Sequence, residues 1–332
     1  MRAAPPRSVL LAALMALMLA AAIASLRFGP VELSAGRLLA ATLGNGDHVS
    51  QVILFELRLP RTLLALGVGA MLGLSGAALQ GYLRNPLAEP SVLGASNAAA
   101  LGAVAALYFG LAALHPLMLP LLSIGSTIIA LTLLFLLAGR SESPLTLILA
   151  GIAIATLAGA GISLALNLAP NPFAAMEIMT WLLGSLENRS FAHLWIALPC
   201  IAVGGGLLLW GGRDLDALTL GEDGAQALGV DLRRTRLRLL LGTAIGVGGA
   251  VAVSGAIGFV GLIVPHLVRP FTDRSPSAIL LPSALGGAAL LTFADIGVRT
   301  IASTNELKLG VVTAFLGVPV FLIHLMRERR LW

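Results

Sequence analysis

The sequence predicts an all-α integral membrane protein, and three observations support this. Hydrophobic residues make up 58% of the chain and charged residues only 11%, with a mean hydropathy of +0.94. Apolar stretches of about 18 or more residues, long enough to cross ~30 Å of hydrocarbon as a helix, recur along the whole chain. These stretches, 121–138 for example, are apolar on every face. Helices rather than the alternating strands of a barrel are therefore expected to span the membrane.

About ten segments qualify as transmembrane helices, and the eighth is short. In chain order they are 8–26, 61–80, 91–112, 117–138, 145–168, 191–211, 237–256, 257–271, 277–297 and 308–326. An even number of crossings places both termini on one side, and fourteen of the 21 Lys and Arg residues then fall on that side. Because cytosolic loops are enriched in Lys and Arg, both termini are expected in the cytosol.

The first segment also has a second interpretation. Arg2 and Arg7 precede its apolar stretch, and the small residues at 20–22 resemble a signal-peptide cleavage site. Cleavage would leave nine spans, and the basic tail at 327–330 would then fit the loop charges less well. We therefore treat 1–332 as one transmembrane domain.

An internal repeat is predicted from matches at one offset. Ser75-Gly76-Ala77 recurs as Ser254-Gly255-Ala256, 179 residues later, and the same offset relates Gly69 to Gly248 and Pro86 to Pro265. The matched spans are the second and the seventh, an offset of five spans. Because five is an odd number, the two copies face opposite ways across the membrane. The repeats are expected at about 61–168 and 237–326, although a chance match between small-residue helices also explains the triplet.

Each repeat contains a proline-interrupted segment after its Ser-Gly-Ala helix. These segments are "RNPLAEP" in the first half and "GLIVPHLVRP" in the second. Irregular backbone at corresponding places in inverted halves marks a transport pathway, with Pro86, Pro265 and the neighbouring His266 as candidate residues. Plain interhelical turns, and a merely packed His266, remain the alternative.

Small residues repeat at four-residue spacing in the same two helices. Gly69, Gly73, Ala77 and Gly81 form one stripe, and Gly242, Gly246, Ala250 and Ser254 form the other. Such stripes let helix backbones approach closely. A tightly packed bundle is expected, with any large substrate passing at a subunit interface.

Three arginines lie on the outer side against the charge bias. Arg58 and Arg61 flank Pro60 at the start of the second span, and Arg299 follows the ninth. A cation at a helix N-terminus is unfavourable by about 0.3–1 kcal/mol, which suggests an acidic partner outside. Lipid phosphate is the alternative. Asp295 is expected to pair with Arg299 four residues later.

The longest loop, 212–236, carries nine charged residues. Asp214 can cap a first short helix, and a second should run from Glu222 and close at Gly229. Such a pair of helices suits either a surface anchor or a docking platform for a cytosolic protein.

Signals for catalysis and for metal binding are missing. Lys308 is the only lysine, so the chain has no phosphate-binding Gly-x-x-x-x-Gly-Lys-Ser/Thr loop. The five histidines are scattered, and no Gly-x-Ser-x-Gly motif occurs. We expect no catalytic residue, no metal site and no cofactor bound by this chain.

Five stretches of the sequence together resemble the FecCD-type permeases, the membrane subunits of bacterial ABC importers for iron siderophores, haem and cobalamin. They are "RLPRTLLALGVGAMLGLSGAALQGYLRNPLAEPSVLGASNAAALGAV", "LGEDGAQALGV", "SGAIGFVGLIVPHLVRP", "LLTFADIGVR" and "GVVTAFLGVPVFLIHLMR". The likeness covers nearly the whole chain. One departure is Lys308 in "NELKLG", where such permeases usually carry Pro, so the bend before the last span is uncertain.

The resemblance implies roles for three sets of residues. Arg58, Arg61 and Arg299 match positions that meet acidic residues of the substrate-binding protein. Asn85 and Leu87 match the cytosolic gate, and Ser143 and Pro144 match it more loosely. The set that would receive the ATPase stroke is Leu220, Gly221, Glu222, Ala225, Leu228 and Gly229.

The resemblance also implies the assembly. We expect a second copy of the permease or a homologous permease, two cytosolic ATPase subunits holding ATP and Mg, and a periplasmic substrate-binding protein, all at the bacterial inner membrane in contact with lipid. No nucleic-acid partner is expected. The alternative is an ion- or solute-coupled secondary transporter, which also uses inverted repeats but usually needs buried carboxylates. A membrane-embedded enzyme is a third interpretation, but the sequence shows no set of residues that would form a nucleophile and base or a metal site.

Overall fold

A computed structural model describes residues 5–31, 33–138, 144–301 and 306–328 of the chain, and these residues form helices without a strand. The helices are α1 Arg7–Arg27, α2 Ala35–Thr42, α3 His48–Gln51, α4 Leu59–Leu83, α5 Ala95–Tyr108, α6 Leu111–Leu114, α7 Met118–Ala138, α8 Pro144–Asn167, α9 Pro172–Leu182, α10 Phe191–Trp210, α11 Gly212–Leu218, α12 Glu222–Ala227, α13 Leu232–Ser254, α14 Val260–Val268, α15 Pro276–Thr300 and α16 Leu309–Glu328. A π-helical turn, Val52–Arg58, leads into α4, and a 3₁₀ turn, Arg269–Phe271, follows α14.

The all-α prediction is confirmed, and each predicted span coincides with a helix. Within the described ranges, seven helices are long and apolar enough to cross a membrane: Arg7–Arg27, His48–Leu83, Met118–Leu137, Thr146–Asn167, Phe191–Trp210, Leu232–Ser254 and Pro276–Thr300. The third, eighth and tenth predicted spans correspond to shorter apolar helices, Ala95–Tyr108, Val260–Phe271 and Leu309–Pro319. The count of ten crossings stays a prediction.

Helix α4 lies at the centre of the bundle, and small residues bring its neighbours close. A Cβ atom added to Gly69 would lie 2.3 Å from the Gly287 carbonyl oxygen of α15, and one on Gly73 would lie 2.2 Å from that of Ser283. The second stripe packs on α10, where a Cβ on Gly204 would lie 2.6 Å from the Gly242 carbonyl oxygen. These approaches confirm the predicted close packing of both stripes.

Candidate functional site

The first interrupted segment begins where α4 ends. Arg84 takes the left-handed conformation at φ 50° and terminates the helix. The Asn85 side-chain oxygen then accepts a hydrogen bond from the Leu87 backbone N–H at 2.9 Å, and irregular backbone continues to Gly94 at φ 76°, where α5 starts. An asparagine that accepts from the residue two positions later stabilises a turn. The interruption predicted around Pro86 is therefore present.

The second interruption lies earlier than predicted. Gly255, at φ 68°, ends α13, and the chain stays irregular to Phe259, also at φ 68°, where α14 begins. Pro265 lies inside α14 instead of in irregular backbone. The prediction that Pro86 and Pro265 occupy corresponding breaks is wrong in this respect, because the left-handed Gly255 ends the helix ten residues before the proline.

Pro265 has a different structural effect. Proline has no N–H, so the carbonyl of Gly261, four residues earlier in α14, lacks its usual helical donor. The Gln80 side-chain amide of α4 donates to that carbonyl oxygen at 3.3 Å and to the Leu262 carbonyl oxygen at 3.4 Å. The Gln80 side-chain oxygen in turn accepts a hydrogen bond from Arg269 at 3.0 Å. The proline thus creates an acceptor on α14 that a residue of α4 satisfies.

Glu89 links the two interrupted segments directly. Its residue is 7% exposed, and its carboxylate accepts hydrogen bonds from the Ser91 hydroxyl and from the Phe259 backbone N–H. Phe259 is the residue at which α14 begins, so the carboxylate occupies the N-terminal end of that helix, where negative charge is favourable. The sequence interpretation passed over Glu89 because it relied on the prolines of the motif.

A cleft opens beside this crossing. It has a volume of about 630 Å³, and three of the predicted pathway residues, Asn85, Pro86 and His266, line it. Three arginines, Arg84, Arg269 and Arg274, and Thr219 of the 212–236 loop also line it. The cleft therefore borders the first break, the end of α14 and the charged loop together.

Two of the other predicted gate residues, Leu87 and Pro265, are not part of this lining. Leu87 is 44% exposed, and Pro265 is buried. Pro144 starts α8, and Ser143 lies outside the described residues.

The three arginines predicted to lie on the outer side are not free cations. Arg58, Arg61 and Arg299 are 4%, 8% and 6% exposed, so the expectation of exposed positive charges at these positions is corrected. With Asp295 and Glu306 they form a cluster that we call the arginine network. Burial of unpaired guanidinium groups is costly, and internal partners explain how these positions tolerate it.

Arg61 holds the centre of the arginine network. Its Nε donates to Oδ2 of Asp295 at 3.1 Å, and its Nη2 donates to Oδ1 of the same carboxylate at 2.7 Å, a bidentate geometry. Nη1 donates to Glu306 at 3.1 Å. The predicted pair of Asp295 with Arg299 is confirmed at 3.1 Å. Arg61 therefore joins α4 to α15 and to the segment before α16.

Arg58 and Arg299 fasten the end of α1. Arg58 donates to the carbonyl oxygens of Leu26 at 2.8 Å and of Arg27 at 2.7 Å. Arg299 donates to the Ser25 hydroxyl at 2.6 Å. A cavity of about 810 Å³ adjoins the network and is lined by exposed Arg27, by Arg37 and by Glu306. Arg27 and Arg37 are thus the exposed cations of this lining, and Arg37 forms an exposed ion pair with Asp47 at 3.3 Å.

The 212–236 loop contains the two short helices predicted from its sequence, α11 and α12. The first differs in detail, because Gly211 is its N-cap, while Asp214 accepts from Arg238 of α13 at 2.8 Å. Asp216 accepts a hydrogen bond from the Ser277 backbone N–H of α15 at 2.8 Å. These two carboxylates attach the loop to the bundle.

Helix α12 follows Gly221 as predicted, and its surroundings suit a contact surface. Leu220 and Leu228, two of the predicted coupling residues, are 69% and 65% exposed on either side of it, whereas Ala225 is buried. Glu222 is the first residue of this helix, and Gly229, at φ 84°, follows its C-terminal end. An apolar pair on a charged loop is typical of a partner contact.

Lys308 has a partner in the structure. Its ammonium lies 2.7 Å from the Glu187 carboxylate, and α16 starts at the next residue, Leu309. The Lys308 carbonyl oxygen accepts hydrogen bonds from the first turn of α16. The chain therefore enters its last helix without the usual proline.

The chain is similar to known proteins over most of its length. The FecCD transport family matches residues 17–327, which is nearly the entire chain. This chain belongs to the FecCD transport family. The resemblance inferred from its motifs is thereby confirmed.

Several relatives of this FecCD chain are transport permeases. The uncharacterized ABC transporter permease protein YvrB of Bacillus subtilis (strain 168) is 40% identical over 294 residues, or 87% of this chain and 83% of the relative. The cobalamin import system permease protein BtuC of Halobacterium salinarum is 40% identical over 287 residues, covering 85% and 75% of the two chains. A solved structure described as a metal-chelate type ABC transporter in an inward-facing conformation superposes with a TM-score of 0.85 at 32% identity, covering 96% and 98%.

Family membership fixes the general role. The FecCD chain is a multi-pass membrane permease of an ABC importer, and such permeases work with ATPase and substrate-binding partners.

Among the described residues, no group of three His, Cys, Asp or Glu side chains could hold a metal ion.

Proposed function

We propose that this permease moves an iron-chelate-type substrate from the periplasm to the cytosol by alternating access. The cargo we favour is a ferric siderophore or haem, with cobalamin as a further candidate, because both a metal-chelate transporter and cobalamin permeases are similar to the chain. The observation that carries the mechanism is the 630 Å³ cleft, since it is bordered by the first interruption, by α14 and by the loop of α11 and α12. Movement of the loop can therefore reach the pathway residues directly.

The proposed assembly places the energy source outside this chain. Two permease copies, or this chain with a homologous permease, would form the pathway at their interface in the bacterial inner membrane. Ten crossings with both termini in the cytosol would put α12 on the cytosolic face, where two ATPase subunits bind ATP and Mg. ATP binding would then switch the bundle between two arrangements, because a remote site biases a gate only through a two-state element.

The proposed coupling contact consists of Leu220, Gly221, Glu222, Ala225, Leu228 and Gly229. The exposed leucines supply apolar contact area, and Glu222 supplies charge. The proposed gate consists of Asn85, Pro86, Leu87, Ser143, Pro144, Pro265 and His266, of which Asn85, Pro86 and His266 share the cleft.

Docking of a substrate-binding protein is proposed at the 810 Å³ cavity. Because Arg58, Arg61 and Arg299 are buried and internally paired, an incoming carboxylate would first meet exposed Arg27, and exposed Arg37 would have to exchange its pair with Asp47. Long-range attraction at such a rim mainly raises the association rate. Arg61 would join the contact only by sharing or exchanging Glu306.

Reconstitution tests the proposed function. The permease is placed in proteoliposomes with its co-purifying ATPase and its binding protein, and uptake of haem, ferric siderophores and cobalamin is compared with and without ATP. We expect ATP-dependent uptake of an iron chelate, abolished when the ATPase is inactivated. Uptake driven by an ion gradient without any ATPase would instead establish the secondary transporter.

A further inference from the structure

The 630 Å³ cleft beside the first interruption is lined by basic and neutral residues. Arg84, Arg269 and Arg274 contribute guanidinium groups, which stay protonated at any physiological pH. None of the described residues that line the cleft is acidic. With His266 counted as neutral, the lining therefore contributes three positive charges before its surroundings are considered.

The neighbouring carboxylate of Asp273 does not cancel this charge. Neither Arg84 nor Arg274 forms an ion pair within the described part of the chain. Asp273 is not part of the lining, and it accepts hydrogen bonds from the Ser275 N–H at 3.0 Å and hydroxyl at 2.8 Å. Those bonds and the charge of Arg7 lower the pKa of Asp273, so this carboxylate already has a counter-charge outside the cleft. If its charge is nevertheless subtracted in full, two positive charges remain.

Helix ends explain only part of the basic lining. Arg84 and Arg269 are the C-caps of α4 and α14, and each helix C-terminus carries about half a negative charge. Arg274, in contrast, lies just before α15, at a helix N-terminus, where a cation is unfavourable. Asp216 accepts the Ser277 N–H at that end, at 2.8 Å, and does not line the cleft. Stabilisation of helix ends therefore does not account for Arg274.

The backbone supports a role for two of these side chains. Arg84 has φ 50° and Arg274 has φ 67°, both in the left-handed region. Glycine enters this region freely, whereas a residue with a long side chain rarely does. Among the described residues other than glycine, only Asn188 and Phe259 share this feature. Such outliers are concentrated at functional sites, and glycine at either position would satisfy the backbone without supplying a guanidinium group.

The donor groups and the size of the cleft indicate the class of ligand. Guanidinium groups match the paired oxygens of carboxylates and phosphates. The Gln80 side-chain oxygen accepts a hydrogen bond from Arg269 at 3.0 Å and so holds this arginine in the wall. Small-molecule sites usually have volumes of about 300–1,000 Å³, a range that includes 630 Å³. A small molecule that carries carboxylate or phosphate groups therefore fits both the charge and the size of the cleft.

We propose that the cleft binds carboxylate or phosphate groups of a small molecule, with Arg84 and Arg274 as ligands of the anion. The source of the anion rests on the function proposed above. It is the acidic groups of the cargo, as the cargo leaves past Asn85, Pro86 and His266, or free phosphate in the cytosol. Such binding has to be weak enough for release, because conduction requires both entry and exit.

Equilibrium dialysis of the full-length permease in a neutral detergent, without the ATPase, tests the site. The probes are haem, haem dimethyl ester and radiolabelled inorganic phosphate, each at low salt and against protein-free micelles. The ester keeps the ring of haem and lacks its carboxylates. We expect haem to bind about tenfold more tightly than the ester, which corresponds to ~1.4 kcal/mol. Arg274→Gln should remove this preference and leave ester binding unchanged. Arginine-dependent phosphate binding without a preference for haem supports the site and assigns it to a free anion.

Two further variants separate anion binding from folding and from the general field of the protein. Arg84→Gly removes the guanidinium group and supplies the residue best suited to φ 50°. It should unfold no earlier than the wild type and bind the anions more weakly, whereas loss of a purely structural residue would change only stability. Arg233→Gln removes the same charge from an exposed residue of the 212–236 loop that does not line the cleft, and should bind like the wild type.

Three results would overturn the proposal. The first is equal binding of haem and its ester together with no binding of phosphate. The second is wild-type anion affinity in both Arg84→Gly and Arg274→Gln. If these variants then bind the ATPase less tightly, an acidic side chain of that subunit occupies the cleft instead. The third is an equal loss of affinity in Arg233→Gln, which would reduce the effect to net charge.

The outcome is distinguishable from failure of the proposed function. Anion binding by the isolated permease without any ATP-dependent uptake in proteoliposomes would refute the transport proposal and leave the anion site standing. ATP-dependent uptake by a permease that shows none of the expected anion binding would refute the site alone.

Discussion

Replacing Arg61 with Gln tests the arginine network most directly. The substitution removes the bidentate contact with Asp295, whose residue is 0% exposed, and the contacts with Glu306. Removing one partner of a buried ion pair costs about 3–5 kcal/mol, because the remaining charge is left uncompensated. Asp295 keeps Arg299 at 3.1 Å, so we expect the lower end, about 3 kcal/mol.

Two companion variants calibrate that figure. Glu306→Gln retains an acceptor at a side chain that is 17% exposed, and should cost about 1 kcal/mol. Arg37→Gln breaks the exposed pair with Asp47, at 3.3 Å, and should have the smallest effect on stability, because solvent screens both charges. The predicted order of destabilisation is therefore Arg61→Gln, then Glu306→Gln, then Arg37→Gln.

Thermal unfolding of the purified permease in one detergent measures this order. The binding-protein affinity of the folded fraction, at low and high salt, separates docking from stability. If Arg61→Gln unfolds at the same temperature as Arg37→Gln, the network does not stabilise the fold and the argument from burial fails. A lower affinity for Arg37→Gln at low salt only would support the rim contact.

Three further predictions concern the crossing and the loop. Gly76→Ala should destabilise the bundle by about 1–3 kcal/mol or more, since its Cβ would lie 1.9 Å from a carbonyl oxygen of α14. Gly206→Ala is the control, because a Cβ there would have no atom within 4 Å. Equal unfolding temperatures for the two variants would refute the contact. Gln80→Leu should cost about 1–3 kcal/mol, because it leaves the buried carbonyl freed by the proline without a donor, and unchanged thermal stability would contradict that accounting. Glu222→Arg should leave membrane insertion intact while separating ATP hydrolysis from uptake in proteoliposomes, and wild-type uptake would exclude a coupling role.

Much of the fold follows from local sequence properties. Apolar length locates the helices, because backbone in hydrocarbon must satisfy its own hydrogen bonds. The stripe of Gly69 and Gly73 predicts close helix contact, since backbone approach requires missing side chains. The helices at 212–227 follow from Gly221 and Gly229, whose positive φ angles delimit α12.

The site was harder to predict, because its partners are distant in sequence. Asp295 and Arg299 lie one helical turn apart, and their pair could be read from spacing. Arg61 meets the same carboxylate across 234 residues, which no local pattern reveals. The burial that turns exposed cations into a structural network is likewise a property of tertiary packing.

The interruptions show the same limit. A proline predicts that a helical hydrogen bond is missing, but not whether the helix ends there or continues with a substitute donor. Gln80 supplies that donor to α14 from α4, 181 residues earlier in the chain than the Gly261 carbonyl that accepts it. The contact of Glu89 with the second interrupted segment likewise depends on tertiary structure, because folding brings the backbone N–H of Phe259 to its carboxylate.

Helix α15 connects the 212–236 loop at one end to the arginine network at the other. One end is tied to α11 through Ser277 and Asp216, and the other end carries Asp295 in its pair with Arg61. Eighteen residues at 1.5 Å each separate these ties by about 27 Å. Close-packed interiors transmit strain instead of absorbing it. A displacement of the 212–236 loop would therefore change the load on the ion pair at the other end of α15, and this transmission would not require any signal to pass through the substrate.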